Sequence, residues 1–194
     1  LISYLSDNNL LSPEETLTIY LNTLKSMNTE QMGNYLGIES LLNTSDSDKN
    51  SIASALVEQV HQNFDFKITN CEEQGYTATV STTITTFDST SILNMFSQEQ
   101  DAYLSSADAV IDGSEKRYQK SLEMLLNDIK NNTANITSTA DFHLTNDGVS
   151  WKLDDSNTTI GNAIFGTLSN SPVSEETEDA DSSEDDSYAE ESED

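Results

Sequence analysis

Apolar residues recur at intervals of three and four along the first third of the chain, which is the spacing of one helix face. The first such stripe consists of Leu17, Tyr20, Leu21, Leu24 and Met27. Ser12 can cap this helix, Pro13 suits its first turn, and Glu15 completes a capping box. We therefore predict a helix over about 13–27, a short helix in "TEQMGNYLG" and a third helix in "DSDKNSIASALVEQVHQN".

The pattern changes to alternation in "FDFKITNCEEQGYTATVSTTITTF", which predicts a β-hairpin. A three-residue loop from Glu73 to Gly75 places the glycine where such loops need a left-handed residue. The pairs predicted by this loop are Ile68 with Val80 and Phe64 with Ile84. In the same register Cys71 points toward solvent, with the threonines of the second strand.

Helical spacing returns between 88 and 131 in two stretches, "SILNMFSQEQDAYLSSADAVI" and "SEKRYQKSLEMLLNDIKN", which Asp112-Gly113 separates. A second hairpin follows in "TANITSTADFHLT" and "VSWKLDD", with Asp147-Gly148 as its two-residue turn. The pairs predicted by that turn are Asn146 with Val149, Leu144 with Trp151, Phe142 with Leu153 and His143 with Lys152. A last helical pattern occupies "NTTIGNAIFGTL". This order of elements predicts an α+β fold.

Charge divides the chain into two parts. The 194 residues carry 35 acids and 8 Lys and Arg, and twelve of the acids lie in 170–194. That segment has too little apolar surface to offset its ordering entropy, so we predict a single domain over 1–169 and an acidic disordered tail over 170–194. A formal charge of −27 repels phosphate groups, which excludes nucleic acid as a partner. No apolar run approaches the length of a membrane-spanning helix.

Motifs for metal, cofactor or nucleophilic chemistry are weak. The spacing of Asp46, Asp48 and Asn50 matches the start of a calcium loop, but Ser51 stands where the turn needs glycine. A polar loop that caps the third helix is the better interpretation. A single cysteine and two histidines form no metal or catalytic motif. We therefore predict no metal, no cofactor and no catalytic residue.

Three stretches and the order of elements carry a resemblance to a known superfamily. The stretches are "SPEETLTIYLNTLKSMN", "DFKITNCEEQGYTATVSTTIT" and "TNDGVSWKLDDSNTTIGNAIFGTL". Across about 12–169 the chain resembles the cone-shaped, cystatin-like domains of the nuclear transport factor 2-like superfamily, and more narrowly those of uncharacterised lipoproteins of Gram-positive bacteria. The resemblance implies a curved antiparallel sheet packed against N-terminal helices, with a helical insertion between two hairpins.

The same resemblance implies an extracellular, cell-surface protein that is secreted or held by a lipid anchor on a Cys upstream of Leu1. We expect a non-catalytic binding domain for a small molecule or a protein, with Tyr20, Tyr35 and Trp151 as ligand-binding residues at the open end of the cone. One alternative is a small isomerase, dehydratase or hydrolase with an interior site. Another is a surface protein that forms a homodimer through its sheet, which would require an apolar outer sheet face where the sequence has Thr and Ser.

Overall fold

We describe a computed structural model of the chain over residues 10–36, 47–154, 156–165 and 168. These residues form six helices and an open, four-stranded antiparallel sheet with strand order β1-β2-β3-β4. The elements are α1 (Pro13–Lys25), α2 (Thr29–Leu36), α3 (Ser47–Asn63), β1 (Asp65–Gln74), β2 (Thr77–Phe87), α4 (Ser89–Leu104), α5 (Ala107–Asn131), β3 (Asn135–Asn146), β4 (Trp151–Asp154) and α6 (Ser156–Phe165). The predicted α+β fold, with helices between two hairpins, is confirmed.

The start of α1 follows the sequence signals. The side chain of Ser12 accepts a hydrogen bond from the backbone N–H of Glu15 at 3.1 Å, and Pro13 occupies the first turn. This arrangement satisfies one of the N–H groups that a helix start leaves without an intrahelical partner. The helix ends at Lys25, two residues before the predicted end.

The helical insertion between the hairpins breaks at two places. Helix α4 ends at Leu104, earlier than the predicted pattern, and Ser106 caps the next helix by accepting the N–H of Ala109 at 3.3 Å. The predicted break at Asp112-Gly113 is a kink inside α5, where Gly113 has φ 79° and ψ 170°. Only glycine adopts that backbone conformation readily, because it has no Cβ.

The register of the first hairpin differs from the predicted one. Gln74 pairs with Thr77, so the turn consists of the two residues 75–76 and not of the three residues 73–75. Gly75 has φ 61°, the left-handed conformation that a two-residue turn requires. The predicted pairs of Ile68 with Val80 and of Phe64 with Ile84 are therefore wrong. The observed pairs are Ile68 with Thr82 and Phe66 with Ile84.

A β-bulge in β1 changes which face each side chain meets. The ladder shifts between the Ile68 and Asn70 pairs, so Thr69 is an extra residue. Beyond the bulge Cys71 pairs with Val80, whose side chain is buried on the inner face of the sheet. The predicted solvent-facing position of Cys71 is wrong, because the extra residue reverses the alternation between the two ends of the strand.

The second hairpin has a four-residue loop, 147–150, in place of the predicted two-residue turn. The carboxylate of Asp147 accepts the N–H groups of Val149 and Ser150, each at 2.9 Å, which stabilises the wider loop. The four predicted pairs are wrong. The observed pairs are Asn146 with Trp151, Thr145 with Lys152, Leu144 with Leu153 and His143 with Asp154. The ladder moves by two positions, so each residue keeps its predicted face.

The core lies between the inner face of the sheet and the helices. Helix α1 packs against β1, β2 and β4, α6 packs against β2 and β3, and α3 packs against β2 and α5. The side chains at the centre of this layer are 0% exposed; they include Leu17, Leu21, Leu24, Val80, Ile84 and Ile160. A gap that admitted water would expose the side chains around it, so this part of the interior is closely packed.

Several predictions concern residues outside the described ranges. They are the acidic tail over 170–194, the single domain boundary near 169 and Asp46 of the calcium motif. No helix within the described residues is long and apolar enough to cross a membrane.

Candidate functional site

The three predicted ligand-binding residues lie on elements at the α1 side of the fold. Tyr20 lies in α1 and Tyr35 in α2, and their ring centroids are 5.5 Å apart with planes at 45°. Trp151 begins β4, the strand that packs against α1. All three residues are partly buried against the core. We call these three residues the aromatic surface.

The aromatic surface offers apolar contact area, and the hydroxyl oxygen of Tyr20 is buried. Tyrosine and tryptophan rings are common at binding interfaces. The same rings also contribute to the packing of α1 and α2. Their assignment as ligand-binding residues stays a prediction.

The bulge of β1 brings a cluster of potential ligand atoms together. The carboxylates of Glu14 and Glu73 and the Sγ atom of Cys71 all lie within 4.8 Å of one another. Glu14 comes from the first turn of α1, and the other two side chains come from the inner face of β1, where α1 packs. Oxygen and sulfur atoms at this spacing could contact one metal ion, although two carboxylates and a thiolate leave a tetrahedral site incomplete.

Burial and the charge of this cluster suppress the reactivity of the thiol. Burial raises the pKa of Cys71 to about 11, and the carboxylates of Glu14 and Glu73 add to the rise. The thiol therefore keeps its proton at neutral pH, and Glu14 accepts a hydrogen bond from it. Because thiolates are the nucleophiles and metal ligands, Cys71 in this setting is a poor nucleophile.

The calcium motif forms no loop where the structure describes it. Asp48 and Asn50 lie in the first turns of α3, which begins at Ser47. Side chains at alternate positions of a helix do not point toward one centre, so this pair cannot wrap a cation. The predicted polar loop is wrong for residues 47–50, which already belong to the helix.

A polar cluster joins the end of α4 to the first half of α5. The hydroxyl of Tyr103 donates to the carboxylate of Asp112 at 2.6 Å, and Lys120 donates to the same oxygen at 2.5 Å. These donors lower the pKa of Asp112 to about 2. Beyond this cluster the side chains of Val110 and Ile111 are each 80% exposed.

A buried carboxyl group lies between the two helices of the insertion. Asp128 in α5 is 5% exposed, and its Oδ2 atom has no hydrogen-bond partner in the described part of the chain. Burial raises the pKa of Asp128 to about 6, and the negative charge and hydrogen bond of Glu99 in α4 add to the rise. Asp128 can therefore exchange a proton near neutral pH. Among the described residues, the titratable neighbour that affects its pKa is Glu99.

A groove of about 450 Å³ runs along the outer side of α3. Its lining is Asn50, Ser51, Ser54, Ala55, Glu58, Gln59, Gln62 and Lys130. Gln59 also joins α3 to α5 by donating to the carbonyl of Ile129 at 2.9 Å. Most of the lining residues are polar, and none of the three predicted ligand-binding residues is among them.

Neither histidine belongs to a site that could activate Cys71. Nε2 of His61 lies 2.7 Å from the carbonyl oxygen of Met27, which makes this nitrogen a donor. His143 lies on the outer sheet face as predicted, with Nδ1 3.2 Å from the hydroxyl of Thr79. Both histidines are exposed.

Sequence reasoning missed the cluster of Glu14, Cys71 and Glu73. Its formation depends on the extra residue Thr69, and a bulge has no signature in the alternation of "FDFKITNCEEQG". The one available signal was the placement of a buried-type residue, cysteine, among polar residues of a strand.

Comparisons with known proteins leave the function open. No family model matches the chain, and no curated protein matches it. Among solved structures the chain is similar to a candidate lipoprotein of Bacillus subtilis, YcdA, with a TM-score of 0.47 and 15% sequence identity. The match covers 79% of this chain and 47% of that protein, so the chain spans about half of its length. Similarity at this level does not transfer an activity.

Proposed function

We propose that the chain is a non-catalytic binding domain with the cone-shaped cystatin-like fold, and that it belongs to a secreted or lipid-anchored bacterial protein at the cell surface. The extracytoplasmic location rests on the resemblance of the sequence. The binding role is what that resemblance implies. Its assignment to the surface rests on one observation, the packed interior around Leu21, Val80 and Ile84, each 0% exposed. An interior pocket would need to expose such side chains, so the proposal assigns binding to the surface.

The chemistry of the polar groups supports a role without catalysis. The Cys71 thiol has a pKa of about 11, so it carries little thiolate at neutral pH. Buried Asp128 has the raised pKa of a general acid, but it lies beside Glu99 in the helical insertion and not on a strand of the sheet. A cone-fold enzyme needs a base that faces the interior, and the inner face of β2 offers Ala78, Val80, Thr82, Ile84 and Thr86. The carboxylate that β1 adds on this face, Glu73, is exposed near the end of the strand, within 4.8 Å of Glu14 and Cys71.

The proposed contact region is the aromatic surface of Tyr20, Tyr35 and Trp151. Its test uses Trp151, which is the only tryptophan of the chain and reports binding through its fluorescence. The whole chain is titrated with a panel of neutral and cationic small molecules, peptides and extracellular proteins. We expect a saturable change in fluorescence for a member of the panel, and at least about tenfold weaker binding in Tyr35→Ala, as for an aromatic contact in the interface centre.

Tyr76→Ala is the matched control, because Tyr76 is 71% exposed in the hairpin turn outside the aromatic surface. It should bind as the unchanged chain does. Thermal unfolding of both variants separates loss of contact from loss of fold. Equal binding by Tyr35→Ala and the unchanged chain would contradict the assigned surface. Catalytic turnover of any bound compound would contradict the non-catalytic role.

A further inference from the structure

Strand β3 is much longer than the strand beside it. Residues 135–145 pair with β2 along their whole length, whereas β4 pairs only with His143 to Asn146. Within the described residues, no strand lies beside residues 135–142 on the side away from β2. We call residues 135–142 the open edge. Its first five residues are exposed, and so is Asp141.

The hydrogen-bond pattern shows which backbone groups the open edge presents. The N–H of Asn146 donates to the carbonyl of Tyr76 at 2.8 Å, and the N–H of Asp88 donates to the carbonyl of Ala134 at 2.9 Å. Even-numbered residues of β3 therefore bond to β2, because bonded pairs alternate in an antiparallel ladder. The N–H and carbonyl groups of Thr137, Thr139 and Asp141 consequently point outward.

The opposite edge of the sheet has features that discourage pairing with another strand, and the open edge lacks them. Strand β1 has the bulge at Thr69 and a lysine at Lys67, both of which discourage another strand from pairing. The open edge reads "NITSTADF" and contains no lysine, proline, glycine or bulge. Its β-branched residues favour extended backbone. An edge of this kind is a template for an added strand.

We propose that the open edge takes an extended, positively charged segment of a partner protein as a fifth strand beside β3. Backbone bonds to Thr137, Thr139 and Asp141 supply the ladder. Charge selects the occupant, because the chain has a formal charge of −27 and the carboxylate of Asp141 is exposed on the outer face. The same charge opposes a second copy of the chain as the occupant.

Side-chain alternation further defines the segment. On the inner face the edge presents Ile136, which is 45% exposed, and the partly buried Ala140. On the outer face it presents Thr137, Thr139 and Asp141. A fitting segment alternates an apolar or β-branched residue, which covers Ile136, with lysine or arginine, which meets Asp141. This inference goes beyond the proposed function, since the open edge and the aromatic surface share no residue.

The probe is an acetylated and amidated ten-residue peptide of alternating threonine and lysine. Its binding to the whole chain is followed by hydrogen exchange of single backbone amides. Without peptide, the amides of Thr137, Thr139 and Asp141 should exchange faster than those of Ser138 and Ala140, which bond to β2. With peptide, the three outward amides should become protected, while the others change little. Unchanged exchange at these three amides overturns the proposal.

Two protein variants test the ladder. Thr139→Pro removes an outward N–H and adds a ring on the open side, and it leaves the bonds to β2 in place. It should weaken peptide binding by at least about tenfold. Thr139→Ala keeps the N–H and should bind as the unchanged chain does. Equal binding by the proline variant overturns the proposal.

Two further controls use the unchanged protein, so they do not depend on the folding of a variant. A peptide of the same sequence with alternate N-methylated amides should not bind, because it cannot complete a ladder. Binding of this peptide at equal strength would show electrostatic attraction alone and overturn the proposal. Sedimentation of the chain without peptide should show a monomer. A dimer that Thr139→Pro abolishes would assign the open edge to a second copy and also overturn it.

Discussion

The carboxyl group of Asp128 shows how packing changes the chemistry of one residue. Burial between α4 and α5 raises its pKa to about 6, and Glu99 adds to the rise. In the unfolded chain an aspartate has a pKa near its ordinary value of about 3.9. Folding therefore favours the protonated form. The resulting stability is fully present below about pH 4 and is lost as the pH rises through about 6.

Replacement of Asp128 by asparagine tests this linkage. Asp128→Asn keeps the shape of the side chain and removes the charge, so at pH 7.5 it should raise the free energy of unfolding by about 1–3 kcal/mol. At pH 4 the gain should vanish. Urea unfolding at both pH values measures the difference. The exposed residue Asp108 of the same helix supplies a control, since Asp108→Asn removes one negative charge without a buried carboxyl group and should not give a comparable gain at pH 7.5. A gain of equal size at both pH values would refute the linkage.

Cys71 differs from a reactive thiol because burial raises its pKa and its acidic neighbours add to the rise. The carboxylate of Glu14 raises the thiol pKa through its charge and its hydrogen bond. In Glu14→Gln the pKa of Cys71 should fall, so alkylation by iodoacetamide at pH 8.5 should become about three- to tenfold faster. The rate is measured by mass spectrometry of the intact chain.

The next residue provides a matched control for that experiment. Glu15 is exposed on the same turn of α1 and does not belong to the cluster. Glu15→Gln should leave the alkylation rate unchanged. If both variants react equally fast, a general change in surface charge accounts for the effect, and the contact between Glu14 and the thiol does not.

At the scale of elements, β1 shows where local patterns stop being informative. The alternation of Phe66 and Ile68 correctly indicates a strand, although Phe64 precedes β1, and Gly75 correctly indicates a turn. The turn length and the bulge depend on how β2 and the helices cover the strand. A two-residue turn and one extra residue place Phe66 and Cys71 on the same face, which no local rule predicts.

Deletion of Thr69 should be tolerated, because the residue is the extra one in the bulge. Without it the pairs on both sides become continuous and every inward side chain keeps its face. We expect the free energy of unfolding to change by about 1 kcal/mol or less. Deletion of Lys67, the matched control, should turn either Phe66 or Ile68 outward, depending on whether the bulge is kept, and cost about 2–4 kcal/mol. Denaturant unfolding measures both. If both deletions lowered the free energy of unfolding equally, the bulge would be required for the fold.

At the scale of the whole molecule, charge is the dominant property. The 35 acids outnumber the 8 Lys and Arg, so like charges repel one another in the compact state. Individual ion pairs offset little of this repulsion. Lys152 meets Asp147 at 2.9 Å in an exposed loop, and such surface pairs contribute little to stability.

Salt should therefore stabilise the chain. Raising sodium chloride from about 20 mM to about 500 mM should raise the Tm by several degrees, because the screening length falls well below the distances between exposed charges. Calorimetry measures the Tm. A chain that ends at Ser169 lacks twelve acids and should respond less. At high salt its Tm should equal that of the full chain. A lower Tm at high salt would show that 170–194 packs on the domain and would refute the predicted tail.

The sequence alone determined the type and order of the elements, the faces of α1 and β2, and the acidic character of the chain. These features depend on period, capping and composition, which are local and additive. Only the tertiary structure decided the hairpin registers, the cluster around Cys71, the raised pKa of Asp128 and the open edge of β3. Each of these depends on which distant segment lies opposite a residue, and several pairings of one alternating pattern satisfy local rules equally well.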